Sequence, residues 1–163
     1  MTHKWHEIMK RQNIRLGAIL VARGLLSDNQ LDAALTEQAN TKEFLGALLV
    51  RRGIIKEEAF LNALAEQFEI EVVTLKDRYI DWAFVKGFSP SLLLDYKCLP
   101  IERTDIRITF AITNPLDAWA LNKAEEEARG MKAEFVLVGV GDMEAAIVRY
   151  KEYMRGFLSN RSE

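Results

Sequence analysis

The segment RLGAILVARG, Arg15 to Gly24, returns as FLGALLVRRG, Phe44 to Gly53. When residues 15–38 are aligned with 44–67, a shift of 29, 11 of 24 positions are identical. A chain that spells one segment twice folds around a duplicated unit, and this limits its N-terminal part more than any other feature. The identical pairs are Leu16/Leu45, Gly17/Gly46, Ala18/Ala47, Leu20/Leu49, Val21/Val50, Arg23/Arg52, Gly24/Gly53, Ala34/Ala63, Leu35/Leu64, Glu37/Glu66 and Gln38/Gln67. Each copy reads as helix, short break, helix. Asn13 is placed to cap the first helix, and Gly24 and Gly53 stand where a left-handed stop is wanted. Ser27 with Gln30 reads as a capping box, whereas the second copy has Lys56 at the position of Ser27 and a weaker cap. Four short helices are expected over about 13–68, within a helical subdomain 13–70.

The chain changes character after that. EVVTL (71–75) is strand-like, and Ser89 with Pro90 opens a helix. CLPIERTDIRITFAIT reads as two strands around Thr104 and Asp105, with Ile106, Ile108 and Phe110 alternating. NPLDAWALNKAEEEARG reads as a helix from Asn114 and Pro115 to Gly130, AEFVLV as a strand, and 142–155 as an amphipathic helix. The expected class is α+β: a helical subdomain of two repeated helix pairs, then a small α/β sandwich over 71–155. Residues 1–12 and 156–163 read as tails.

Composition excludes several functions. A formal charge of -2 argues against a binder of nucleic-acid polymers, which needs a basic excess. Cys98 is the only cysteine, so no internal disulfide forms, and the thiol reads as a buried small hydrophobe in a cytoplasmic chain. No apolar run is long enough to insert in a membrane. His3 and His6 in a tail make a poor metal site, and Glu125 to Glu127 read as a solvated helix face. VLVGVGD has Glu144 at the third glycine position of a dinucleotide turn, and GxxxxGK[ST] is absent. No nucleophile–base pattern occurs, so neither an enzyme nor catalytic residues are expected.

What remains is a binding chemistry in the repeats. Gly17 and Gly46 interrupt predicted helices at about 1 kcal/mol each relative to alanine, which points to close approach of another backbone or of a ligand. Packing between the repeats explains them equally well. Arg15, in a first helical turn, opposes the helix dipole unless an anion docks there; arginine also pairs with phosphate or with the edge of guanine. Ordinary surface charge is the alternative. Leu31, Leu35 and Gln38 share one stripe, as do Phe60, Leu64 and Gln67. Such a stripe suits a base ring with one oriented amide, or a helix end returning to solvent.

RLGAILVARGLLSDNQLDAALTEQ resembles the MshEN family, the N-terminal domain of type II secretion and type IV pilus assembly ATPases. That family's motif, RLGxxLxxxGxxxxxxLxxxLxxQ, occurs twice with a five-residue spacer, here 39–43. The likeness continues through LPIERTDIRITFAITNPLDAWAL and AAIVRY, and covers about 13–150. It implies a non-enzymatic bacterial regulatory domain that binds cyclic di-GMP, one half of the two-fold ligand to each copy. By this resemblance Arg15, Leu16, Gly17, Leu31, Leu35 and Gln38 contact the ligand from the first motif, and Leu45, Gly46, Phe60, Leu64 and Gln67 from the second. No metal or other cofactor is implied. Phe44 in place of the leading arginine removes a cation from the second half, while Phe60 in place of leucine adds stacking area. The alternative implied by the same family is docking to an inner-membrane component of the secretion or pilus machine without nucleotide. Such ATPases continue into a catalytic domain, so either an excised regulatory domain or a stand-alone sensor is expected.

Overall fold

A computed structural model of the chain describes residues 14–161, so Asn13, His3, His6 and the expected N-terminal tail lie outside the described residues. The chain divides into two compact units, one ending at Phe68 and the other beginning at Glu69.

The first unit contains helix α1 (14–22), α2 (Asp28–Thr41), α3 (Leu45–Arg51) and α4 (Glu57–Phe68). The breaks are alike in both copies. Gly24 and Gly53 have φ of +68° and +67°. The N–H groups of Leu25 and Ile54 reach back to the carbonyls of Leu20 and Leu49, and those of Gly24 and Gly53 to Val21 and Val50. This is the Schellman arrangement, which satisfies the orphan carbonyls at a helix end and needs the left-handed residue that glycine supplies. Ser27 and Gln30 form the reciprocal capping box at the start of α2. The apolar stripes meet in a leucine-rich core: Leu16, Leu20, Leu45, Leu48, Leu49 and Leu64 are fully buried.

The second unit holds a three-stranded sheet, β1 (Cys98–Arg103), β2 (Arg107–Ile112) and β3 (Lys132–Leu137), in the order β1-β2-β3. The β1–β2 hairpin is antiparallel and β2–β3 is parallel, with Phe110 beside Phe135. Short helices α5 (Trp82–Val85) and α6 (Pro90–Leu94) precede the sheet, α7 (Ala118–Glu127) crosses from β2 to β3, and α8 (Val140–Ser159) follows. Alternate side chains of β2 face opposite ways. Ile108, Phe110 and Ile112 pack with Ala124 and Ala128. Ala111 packs with Leu99 and with Met143, Ala146, Ile147 and Tyr150 of α8. The fold is α+β, a helical N-terminal part followed by a small sheet with helices on both faces.

Several local expectations change. EVVTL makes only one isolated bridge, Val72 to Leu137, because Asp142 accepts from Thr74 Oγ1 at 2.8 Å and from the Leu75 N–H at 2.7 Å and turns the segment aside. The same acid ends VLVGVGD and lies in the first turn of α8, where a phosphate would have to sit. Helix α7 starts at Ala118 with Asp117 as cap; Asn114 instead accepts from the Leu116 N–H, closing a turn. Ile106 falls in the hairpin turn and is exposed. Helix α8 runs through Ser159, so residues 156–159 are helix rather than tail. Glu125 and Glu126 are solvated, but Glu127 is not: it accepts from the N–H and hydroxyl of Ser89, at the start of α6.

Candidate functional site

The repeats are tied to each other by reciprocal ion pairs. Arg23 of the first copy pairs with Glu66 of the second, and Arg52 of the second pairs with Glu37 of the first, Nη2 to Oε1 at 2.6 Å. A shift of 29 carries each pair onto the other, so the two copies are related by an internal pseudo-two-fold. Glu37 is held below the ordinary carboxylate range, first by its hydrogen bond from Arg52, with Arg51 adding to it.

On the first copy's side this arrangement leaves an open cleft of about 530 Å³ between α1 and the end of α4, lined by Arg15, Ala18, Ile19, Ala22, Arg23, Glu66 and Gln67. Small side chains at 18 and 22 make the space, and helical spacing puts 15, 18, 19 and 22 on one face. The Arg15 guanidinium lies 5.7 Å from the centre of the Phe68 ring, a cation–π contact that holds it at the rim. Among the described residues Arg15 forms no ion pair, and the carboxylate that lines the cleft, Glu66, is bonded to Arg23, which leaves the cleft one positive charge in excess. The chemistry is that of an anion site with an amide donor and acceptor, Gln67, beside it.

The candidate residues fall into four groups. Arg15 and Gln67, one from each copy, come together in the cleft. Leu16, Leu45 and Leu64 have no exposed surface, and Phe60 is 6% exposed; all four belong to the core. Leu31, Leu35 and Gln38 are half-buried along α2. The glycines are explained by contacts within each copy, not between copies. A Cβ on Gly17 would stand 2.5 Å from a methyl of Leu31, and one on Gly46 would stand 2.2 Å from the Phe60 ring. Leu31 and Phe60 are thus the lids on their own glycines.

Sequence reasoning missed Arg23 and Glu66 as lining residues. The signal was present, since both are charged positions repeated unchanged in the second copy, where no core requirement preserves them. Among the described residues no group of three or more His, Cys, Asp or Glu is placed to hold a metal ion, and no helix is long and apolar enough to cross a membrane.

The model of the MshEN domain family matches residues 68–156, more than half of the chain but none of the cleft-lining residues. The solved structure of MshE with cdg, cyclic di-GMP, is similar at 29% identity and a TM-score of 0.72, covering 83% of this chain and 97% of that one. Coverage of 83% cannot be reached without much of the helical unit. The N-terminal domain of XpsE shares the fold at 20% identity and a TM-score of 0.65, over 83% of this chain and 93% of that one. No curated protein matches.

Proposed function

Because the chain belongs to the MshEN domain family, we propose that it is a non-enzymatic regulatory domain of the secretion and pilus ATPase type that binds cyclic di-GMP through its tandem motifs. The nucleotide unit is the segment 13–70 and the α/β part is 71–155. The observation that carries the reading is the cleft that joins Arg15 of the first copy to Gln67 of the second, on a pseudo-two-fold suited to a ligand with two like halves. The likeness to MshE with cdg supports it. In this reading Arg15 answers a phosphate or a guanine edge, Gln67 and its counterpart Gln38 orient the bases, and Leu31 and Leu35 offer their exposed halves to a base face. Leu16, Leu45, Phe60 and Leu64 act from beneath, by fixing the backbone at Gly17 and Gly46.

Isothermal calorimetry with cyclic di-GMP tests this. Saturable heat is expected, with affinity reduced about tenfold or more in Arg15→Ala, the loss of one charge-assisted hydrogen bond. Ligand at about 100 times its dissociation constant should stabilise the fold by about 2.7 kcal/mol. The absence of both heat and a melting shift at high ligand would overturn the reading. A second reading, docking to an inner-membrane component of such a machine without nucleotide, draws on Phe44, which leaves the second half without the first half's arginine. Capture of that component by nucleotide-free protein, with no calorimetric response to cyclic di-GMP, is its expected signature.

A further inference from the structure

The second copy lacks the arginine that opens the first, yet it carries a cation that the first does not. We propose that Arg51 supplies the second half-site with the charge that Phe44 withholds, and that Glu43 covers this guanidinium until a phosphate group takes its place. The inference rests on the cyclic di-GMP reading and names how the unequal half of that site works.

Position by position, the shift of 29 carries the cleft residues Arg15, Ala22 and Arg23 onto Phe44, Arg51 and Arg52. Arg52 keeps the role of Arg23, since each is bonded to the repeated glutamate of the other copy. Arg51 has no such precedent. It stands at the position equivalent to Ala22, which lines the first cleft. Residues 44 and 51 are seven apart, two helical turns, and therefore share a face.

The Arg51 side chain is directed back toward the start of α3. Its Nε lies 3.1 Å from Glu43 Oε1 and its Nη2 lies 2.7 Å from Glu43 Oε2, a fork-to-fork pair with the residue just before Phe44. The guanidinium is thus held at the end of the helix where the first copy has Arg15. Glu43 is equally particular to this copy, since its counterpart is Ile14. The missing arginine, the added arginine and the added carboxylate fall at one place.

Charge decides what the pair can do. Arg51 also meets Glu37 at 3.5 Å, so both arginines of the second half are matched by carboxylates, whereas Arg15 in the first half forms no ion pair among the described residues. Arg51 and Glu43 remain 50% and 29% exposed at the side chain. Ion pairs this open to water are weak, so exchanging a carboxylate for a doubly bonded phosphate is cheap, and the guanidinium fork fits either anion. The second half is then a covered site and not a lost one.

Calorimetry with cyclic di-GMP on the full chain tests this with three variants. Arg51→Ala should lower affinity about tenfold, with no comparable change in the ligand-free melting temperature. Glu43→Gln should raise affinity several-fold by uncovering the cation. The double variant Phe44→Arg with Arg51→Ala should return to within a few-fold of native affinity, a rescue that a purely structural role for Arg51 would not produce. Native affinity in Arg51→Ala overturns the inference, as does failure of the rescue in a folded double variant. If the native chain binds while Arg15→Ala does not, either result sinks only the inference about Arg51. A native chain that binds no cyclic di-GMP sinks the parent reading as well.

Discussion

Gly17 and Gly46 occupy equivalent positions and face different neighbours, and this sets their tolerance. An added methyl at Gly46 would enter the ring of buried Phe60, which has core on its other side. At Gly17 it would meet only the branched tip of half-buried Leu31, which has solvent into which to swing. Alanine gains about 1 kcal/mol of helix propensity at either site, and overpacking a well-filled core costs about 1–3 kcal/mol. Gly46→Ala is therefore expected to destabilise by about 1–2 kcal/mol in chemical denaturation, and Gly17→Ala to be near neutral. Equal losses would mean that Phe60 is no more confined than Leu31. The need for glycine was legible in the repetition of Gly17 as Gly46, but its cause was not. Which side chain lies over a helical glycine depends on how the two helices of one copy cross, and spacing along one helix does not contain that.

At the scale of elements, charged pairs between helices set a pH dependence. Glu37 and Glu43 are held below the ordinary value near 4.5, first by hydrogen bonds from Arg52 and Arg51 respectively. A carboxylate whose folded pKa is depressed contributes stability above its unfolded pKa, and that stability is lost as pH falls through the folded value. The melting temperature of the helical unit should therefore fall on acidification from about pH 5 downward, and more steeply in the native chain than in a Glu37→Gln, Glu43→Gln variant. Identical acid limbs would refute a stabilising role for the pairs. Elements themselves were largely readable where caps and stops are local: Ser27 with Gln30, Gly24 and Gly53 behave as their chemistry requires. Reading failed where a distant side chain intervenes. Asp142 diverts EVVTL from the sheet, and Glu127 leaves a solvated face to hold Ser89, two bonds spanning 67 and 38 residues.

For the molecule as a whole, Cys98 offers a probe of opening. It is fully buried on β1, in the layer between the sheet and α7. Burial, with Asp117 and Glu127 adding to it, pushes its thiol well above the ordinary cysteine range. Modification by an aromatic disulfide reagent should thus be negligible in the native protein and proceed only through opening of the second unit. Fast labelling under native conditions would contradict the packing of that layer. The split into a helical part and a sheet part was visible in the change from period 3.6 to alternation. The cross-copy cleft was not, because one sequence repeat reveals two like units without revealing which surface of each meets the other.

The reciprocal pairs carry a consequence for ancestry and for engineering. A contact in which each partner's arginine answers the other's glutamate is self-complementary, the isologous geometry of a two-fold dimer. A single helix pair therefore holds both sides of its own interface, and the spacer 39–43 joins what a free dimer would have formed from two molecules. Joined in one chain, the two copies need not be identical. Phe44, Arg51 and Glu43 are differences that no homodimer could have kept on one side alone.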